Sequence, residues 1–221
     1  MNTVDIRFGG RFLTTILLGA LLLLLAACGG TGGGSRQPPL VYPTGGPCLS
    51  ALDSRQVDYV HARLAGVSGG GSGGCGIDTP ISLSTSTADL NAPVRVGCAI
   101  ALAMNEFERR ILQPAAQAHF GQHITRIHHM GGYACRTIAG SRRISQHALG
   151  KAIDIGGFEL ADGRVINVRR HWHGPRAQSA FLRDVARGAC QTFNTVLSPS
   201  TDAAHHDHFH FDLAPWRHCS V

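Results

Sequence analysis

"SQHALGKAIDIGG", residues 145–157, and "HHDHFHFDL", residues 205–213, concentrate imidazoles and carboxylates in a chain of which only 15% is charged. "KAIDIGGF" reads as a strand and "HFHFDL" as a second, short one. Side chains alternate along a strand, so His208 and His210 project from one face. His147 and Asp154 are too far apart for one helical turn, but Gly150 lets the chain bend sharply between them. Asp154 then enters the sheet and faces His147 across it. Two histidines and one aspartate suit a catalytic zinc ion, which takes three protein ligands and leaves its fourth position to water. Such an ion brings the pKa of its water to about 7 and polarises a carbonyl. A neighbouring group must accept the proton, and Asp207, His205 and His208 are the candidates.

The N-terminus indicates where such a site would work. "MNTVDIRFGGRFLTTILLGALLLLLAACGG" opens with Arg7 and Arg11, and an apolar run from Leu13 to Ala27 follows. That run is short of the roughly 20 residues of a membrane span and fits a signal-peptide core. "LAAC" is similar to a bacterial lipobox, which implies a signal peptide over 1–28 and a lipidated Cys28. Gly29 is not the aspartate that retains lipoproteins at the inner membrane, so the expected place is the envelope, facing the periplasm, with outer-membrane anchoring favoured. Residues 29–47 are rich in Gly and Pro and read as a flexible tether.

Of the seven cysteines, six follow Cys28: Cys48, Cys75, Cys98, Cys135, Cys190 and Cys219. An even number in an exported chain reads as three disulfides, and no CxxC spacing offers a thiolate metal site. The pairing expected is Cys48–Cys75 across the Gly-rich segment, Cys135–Cys190 beside the site, and Cys98–Cys219 from a long helix to the tail. The net charge of +6 rests on arginine, with Lys151 the only lysine. The arginines are scattered and have no aromatic-basic platform, which argues against nucleic acid. An anionic wall polymer or lipid surface suits the charge better, and a solvated basic surface with no partner suits it equally well.

Residues 48–221 suit one domain with one core, expected to be monomeric. "GVSGGGSGGCGIDTP" reads as a loop. "NAPVRVGCAIALAMNEFERRILQ" reads as the best helix, with Asn91 as cap, Pro93 in the first turn and Pro114 breaking or kinking it. Ile100, Met104, Phe107 and Ile111 share one face at helical spacing. "HITRIHHMGGYACR" reads as a strand into a turn, "GRVINVRR" as a strand, and Gln178–Cys190 as a helix. His128 and His129 then face opposite sides of their strand, and the pair His171 and His173 lacks an acidic partner. Without a repeating βαβ rhythm, the class is α+β, a mostly antiparallel central sheet flanked by helices, with the zinc site in a cleft on the sheet.

"SQHALGKAID" resembles the Ser-x-His-x-x-Gly-x-Ala-x-Asp motif of D-alanyl-D-alanine carboxypeptidases and dipeptidases. Those zinc enzymes share a fold with murein endopeptidases and the Hedgehog signalling domain. More closely, "YACR", "SQHALGKAIDIGGF", "CQTFNTVLSP" and "HHDHFHFDLAP" resemble the bacterial extensin-like C-terminal domain family, over most of the chain from Cys48 onward. The resemblance implies His147, Asp154 and His210 as zinc ligands, Arg136 as a group that binds the substrate or the developing oxyanion, and Ser145 beside the substrate. The carboxypeptidases place their base where Asp207 stands; the endopeptidases use a His-x-His pair, matched by His208 and His210. Asp207 ranks first because it is ionised at neutral pH without tuning, although a strict strand would turn it away from the face of His210. The implied activity is hydrolysis of peptidoglycan stem peptides or crosslinks next to a D-amino acid. The Hedgehog-type relatives imply the alternative, a non-catalytic zinc-containing lipoprotein that binds the wall or scaffolds other murein enzymes.

Overall fold

Apolar residues at every second position build the centre of this fold. In the computed structural model, which describes residues 37–63 and 74–221, Ala152–Leu160 forms strand β5 and Phe209–Asp212 forms strand β8. Ile153, Ile155, Phe209 and Phe211 are fully buried on one face, while Asp154, His210 and Asp212 fall on the other. Around this pair the described residues form α1 (Gly45–Ser54), β1 (Asp58–His61), β2 (Pro80–Thr85), β3 (Asp89–Gly97), α2 (Cys98–Phe107), α3 (Gln113–Phe120) and β4 (Ile124–Gly131). Then come β6 (Val165–Asn167), α4 (Val168–His171), α5 (Arg176–Ala189), β7 (Thr195–Leu197) and β9 (His218–Ser220).

The strands make one sheet in the order β1-β2-β3-β4-β5-β8-β7-β9, with β6 also paired to β5. All pairs are antiparallel except β3–β4 and β7–β9. The chain is thus α+β with a mostly antiparallel sheet. Helices cover the apolar face: Phe107 of α2 meets Phe211 edge-on at 5.3 Å, and Phe181 of α5 meets Phe158 at 5.8 Å. Phe193 stacks on Phe211 at 4.7 Å. Each such fully buried ring contributes roughly 1.5–3 kcal/mol. Helix α5 supplies a one-sided stripe of Phe181, Leu182, Val185, Ala186 and Ala189, close to its expected bounds.

The helix expected from Asn91 begins instead at Cys98. Residues 89–97 form β3, where Leu90, Val94 and Val96 are buried at strand spacing. Asn91 caps no helix; its side chain accepts from His129 N at 2.9 Å and donates to His129 O at 3.3 Å, in place of a backbone ladder. Pro93 lies in the stretch between Asp89 and Val94 where the β2–β3 register shifts, so its missing N–H breaks no ladder bond. Pro114 does not end the helix either. A π turn at Glu108–Leu112 separates α2 from α3, and the proline sits in the first turn of α3, where no N–H is required.

"GRVINVRR" is a strand only to Asn167, whose side chain accepts from Arg170 N and starts α4. The strand of Phe209–Asp212 is followed by one more, β9. Of the expected tether, residues 29–36 lie outside the described residues, as do Cys28 and the signal segment; residues 37–47 are described, and part of them is bonded to the domain. Leu40 N and O both bond the Asn194 side chain, at 2.6 and 2.9 Å, and α1 starts at Gly45. No helix of the described residues is long and apolar enough to cross a membrane.

All six cysteines after Cys28 are paired, but in none of the expected combinations: Cys48–Cys98, Cys75–Cys135 and Cys190–Cys219. Cys48 on α1 is bonded to Cys98, the first residue of α2. Cys190 ends α5, and β7 then carries the chain alongside β9, which holds Cys219. Each bond can contribute roughly 2–4 kcal/mol.

Candidate metal centre and cleft

His147 reaches the sheet on a single 3₁₀ turn, Gln146–Leu149. Ser145 starts that turn by accepting from His147 N at 3.3 Å. Gly150 ends it in the left-handed region, at φ +63. A Cβ there would stand 2.7 Å from Ile77, so only glycine makes this bend into β5. On the far side, Asp154 of β5 lies directly opposite His210 of β8 in the antiparallel register. The three residues expected as ligands therefore converge.

His147 Nε2, His210 Nδ1 and Asp154 Oδ1 lie 3.1, 3.2 and 3.0 Å apart pairwise. In a tetrahedral site with bonds of about 2.0–2.1 Å, ligand atoms stand about 3.3 Å apart. The outer nitrogens fix the tautomers. His147 Nδ1 donates to Gly132 O at 2.6 Å, and His210 Nε2 donates to Asp212 Oδ2 at 3.0 Å. Gly132 itself lies close against β3, where a Cβ would meet Arg95 O at 2.5 Å. With both outer nitrogens protonated, both inner ones carry lone pairs, and they face a carboxylate oxygen. Three acceptors pointing at one spot require a cation between them, a proton or a metal ion. These residues could hold a metal, and their donor set fits zinc.

The electrostatics agree. Burial alone would raise the Asp154 carboxyl, but the hydrogen bonds and charge of His147 and His210 hold it well below the usual range. Burial would lower His210, yet Asp154 and Asp212 outweigh it and push its pKa up to about 9 in the absence of a metal. Asp212 is buried, and its other oxygen accepts from Ala214 N at 2.9 Å. The sequence reading missed it, although the alternation of "HFHFD" puts it on the face of His210.

The cluster forms the floor of a cleft of about 550 Å³. His208 lies in its wall, with Nε2 3.7 Å from Asp154 Oδ1 and Nδ1 donating to Asp207 Oδ1 at 2.8 Å. That hydrogen bond is the main reason Asp207 sits below the usual carboxylate range. Asp207 itself is not among the cleft-lining residues; it lies in the turn before β8, outside the strand that the alternation argument assumed. His205 also lines the cleft, its ring 5.3 Å from that of His208, and its Nδ1 donates to Asp202 at 2.8 Å. Arg136 lines the mouth, exposed, next to the Cys75–Cys135 bond. Ser145 lines it too, but is buried with its oxygen engaged by the turn. His171 lies elsewhere, accepting from Asn167 N through Nδ1. His128 and His129 diverge as expected, toward Glu159 and Ala92 O.

A family model described as "Extensin-like protein C-terminus" matches residues 47–220. No curated protein and no solved structure matches the chain.

Proposed function

Since the chain belongs to the extensin-like C-terminus family, we propose that it is a zinc-dependent peptidase of the bacterial envelope, related in fold to the D-alanyl-D-alanine carboxypeptidases and Hedgehog-type domains. Its substrate would be peptidoglycan stem peptides or crosslinks, cut next to a D-amino acid. The observation that carries this reading is the convergence of His147 Nε2, Asp154 Oδ1 and His210 Nδ1 at 3.0–3.2 Å on the floor of a cleft. A zinc ion held by those atoms would acidify water and polarise a peptide carbonyl.

The surrounding residues supply the rest. Asp207 fixes His208 with its proton on Nδ1, which leaves the Nε2 lone pair toward the cleft. His208 Nε2 takes the proton of the attacking water and returns it to the leaving amine. This arrangement favours the His-x-His alternative, with Asp207 as the group that orients the imidazole rather than as the base. Arg136 at the mouth faces the charge that develops on the carbonyl oxygen. Cys28 would carry the lipid anchor, and the wall polymer would be the partner.

The test is digestion of purified sacculi by the full chain, loaded with zinc or stripped by chelator, with the released peptides identified by mass. Release that requires zinc and is lost in His147→Ala supports the reading. A zinc-loaded protein that binds sacculi and releases nothing would put the non-catalytic wall-binding alternative in its place.

A further inference from the structure

The turn that carries His147 is held from two sides, and one disulfide joins them. On one side Ala134 N donates to His147 O at 3.2 Å, Arg136 O accepts from Ser145 N at 3.2 Å, and Gly132 O accepts from His147 Nδ1 at 2.6 Å. On the other, Gly76 N donates to Ala148 O at 2.9 Å, and Ile77 fills the space where a Cβ on Gly150 would stand. Gly76 follows Cys75 and Ala134 precedes Cys135, so the Cys75–Cys135 bond ties one side to the other. Residues 74–77 and 133–136 belong to no helix or strand, and no ladder of hydrogen bonds sets their spacing. Asp154 and His210, by contrast, stand opposite each other in paired strands. Among the three proposed ligands, His147 is the one that irregular chain positions. Accessibility separates this bond from Cys48–Cys98: both of those cysteines are 0% exposed, whereas Cys135 is exposed and Cys75 half-buried. Cys190–Cys219 is accessible too, but it joins the end of α5 to the edge strand β9.

We propose that Cys75–Cys135 is a redox-sensitive positioning element of the metal centre: intact it holds His147 in ligating position, and its reduction releases the turn and weakens metal binding. The proposal rests on the metal-centre reading above and not on peptidase activity. The reductant is a dithiol. One of its thiolates attacks a sulfur of the pair, the Cys75–Cys135 bond breaks, and a mixed disulfide forms that the second thiol resolves. Two electrons and two protons pass to the protein, which keeps two thiols, and the donor leaves as a disulfide. The two flanking segments then lose their common tie, and the bonds to His147 O, His147 Nδ1 and Ala148 O no longer act together. An imidazole whose outer N–H loses its fixed acceptor turns more freely, and disturbing a partner of that kind costs about 10–100-fold in metal affinity.

The experiment measures the zinc affinity of the full chain by competition with a chromophoric chelator. Cys75→Ser combined with Cys135→Ser should bind zinc about 10–100-fold more weakly than the wild type. Cys190→Ser combined with Cys219→Ser should stay within twofold, and both double variants should keep the wild-type circular dichroism. With cobalt(II) in place of zinc, the visible band of the four-coordinate ion should weaken in the first double variant alone. In the protein without Cys190 and Cys219, treatment with a dithiol, removed by gel filtration under nitrogen, should reproduce the loss. Alkylation and mass mapping of that sample should label Cys75 and Cys135 before Cys48 and Cys98. Unchanged affinity without the Cys75–Cys135 bond, equal loss in both double variants, or unfolding of the first would overturn the positioning role and leave the metal centre standing. Labelling of Cys48 and Cys98 first would overturn the redox sensitivity. A wild-type protein that binds no zinc would remove the metal-centre reading and this proposal together.

Discussion

Asp212→Asn tests the proposed metal centre without touching any of its proposed ligands. In the native arrangement both oxygens of Asp212 accept: Oδ2 from His210 Nε2 at 3.0 Å and Oδ1 from Ala214 N at 2.9 Å. An amide has the same shape but only one accepting atom. If its oxygen stays on Ala214 N–H, its NH₂ faces His210 Nε2 and drives the ring proton to Nδ1, the atom that faces Asp154 and His147. If it flips, two donors collide at Ala214. Either way the inward lone pair of His210 is disfavoured or the buried ring loses its orientation. Replacing a partner of this kind costs about 10–100-fold in metal affinity, or roughly 1.4–2.7 kcal/mol. Zinc affinity, measured by competition with a chromophoric chelator, should therefore drop by that factor in Asp212→Asn and be essentially lost in His210→Ala. Asp207→Asn, which contacts His208 and no ligand, should match the wild type. An Asp212→Asn protein that is folded by circular dichroism and binds zinc within twofold of the wild type would refute the reasoning.

Turnover on a murein substrate should fall about 10²–10⁴-fold in His208→Ala with zinc retained, and less in Asp207→Asn, which removes only the orienting partner; the reverse order would return Asp207 to the role of base. Mass mapping of the unreduced protein should find Cys48–Cys98, Cys75–Cys135 and Cys190–Cys219, and replacing both Cys48 and Cys98 by Ser should cost roughly 2–4 kcal/mol of stability; free thiols or other linkages would contradict the fold around α1. The chelator-treated protein should lose stability as the pH rises. His210, raised from an ordinary value of about 6.5 to about 9, contributes fully below 6.5 and loses its contribution as pH passes through about 9. Asp154, held low, contributes above the ordinary carboxylate range and loses its contribution on acidification. Thermal unfolding in chelator should thus show a lower midpoint at pH 9.5 than at pH 5.5, and a His210→Gln protein with the same alkaline drop would count against this assignment.

Strand period and the grouping of His147, Asp154 and His210 were legible in the sequence wherever they were local. Alternation along "KAIDIGGF" and "HFHFDL" sets which face Asp154 and His210 occupy, because a strand's side-chain period of two holds in any sheet. Gly150 marks the bend that brings His147 back, because the left-handed region is open to glycine and strained for other residues. The even number of cysteines after Cys28 points to complete pairing, and all six are paired. Partnership across the fold was not legible. The residues "NAPVRVG" carry helix-start letters but lie in a strand, since pairing with β2 outweighs the weak preference of a cap. Connectivity of the disulfides follows from which element ends lie within reach, and the packing of α1 on α2 decides that. Which of Asp207 and His208 lines the cleft was not legible either; only the tertiary structure sets that, by placing Asp207 Oδ1 against His208 Nδ1 and Asp212 Oδ2 against His210 Nε2.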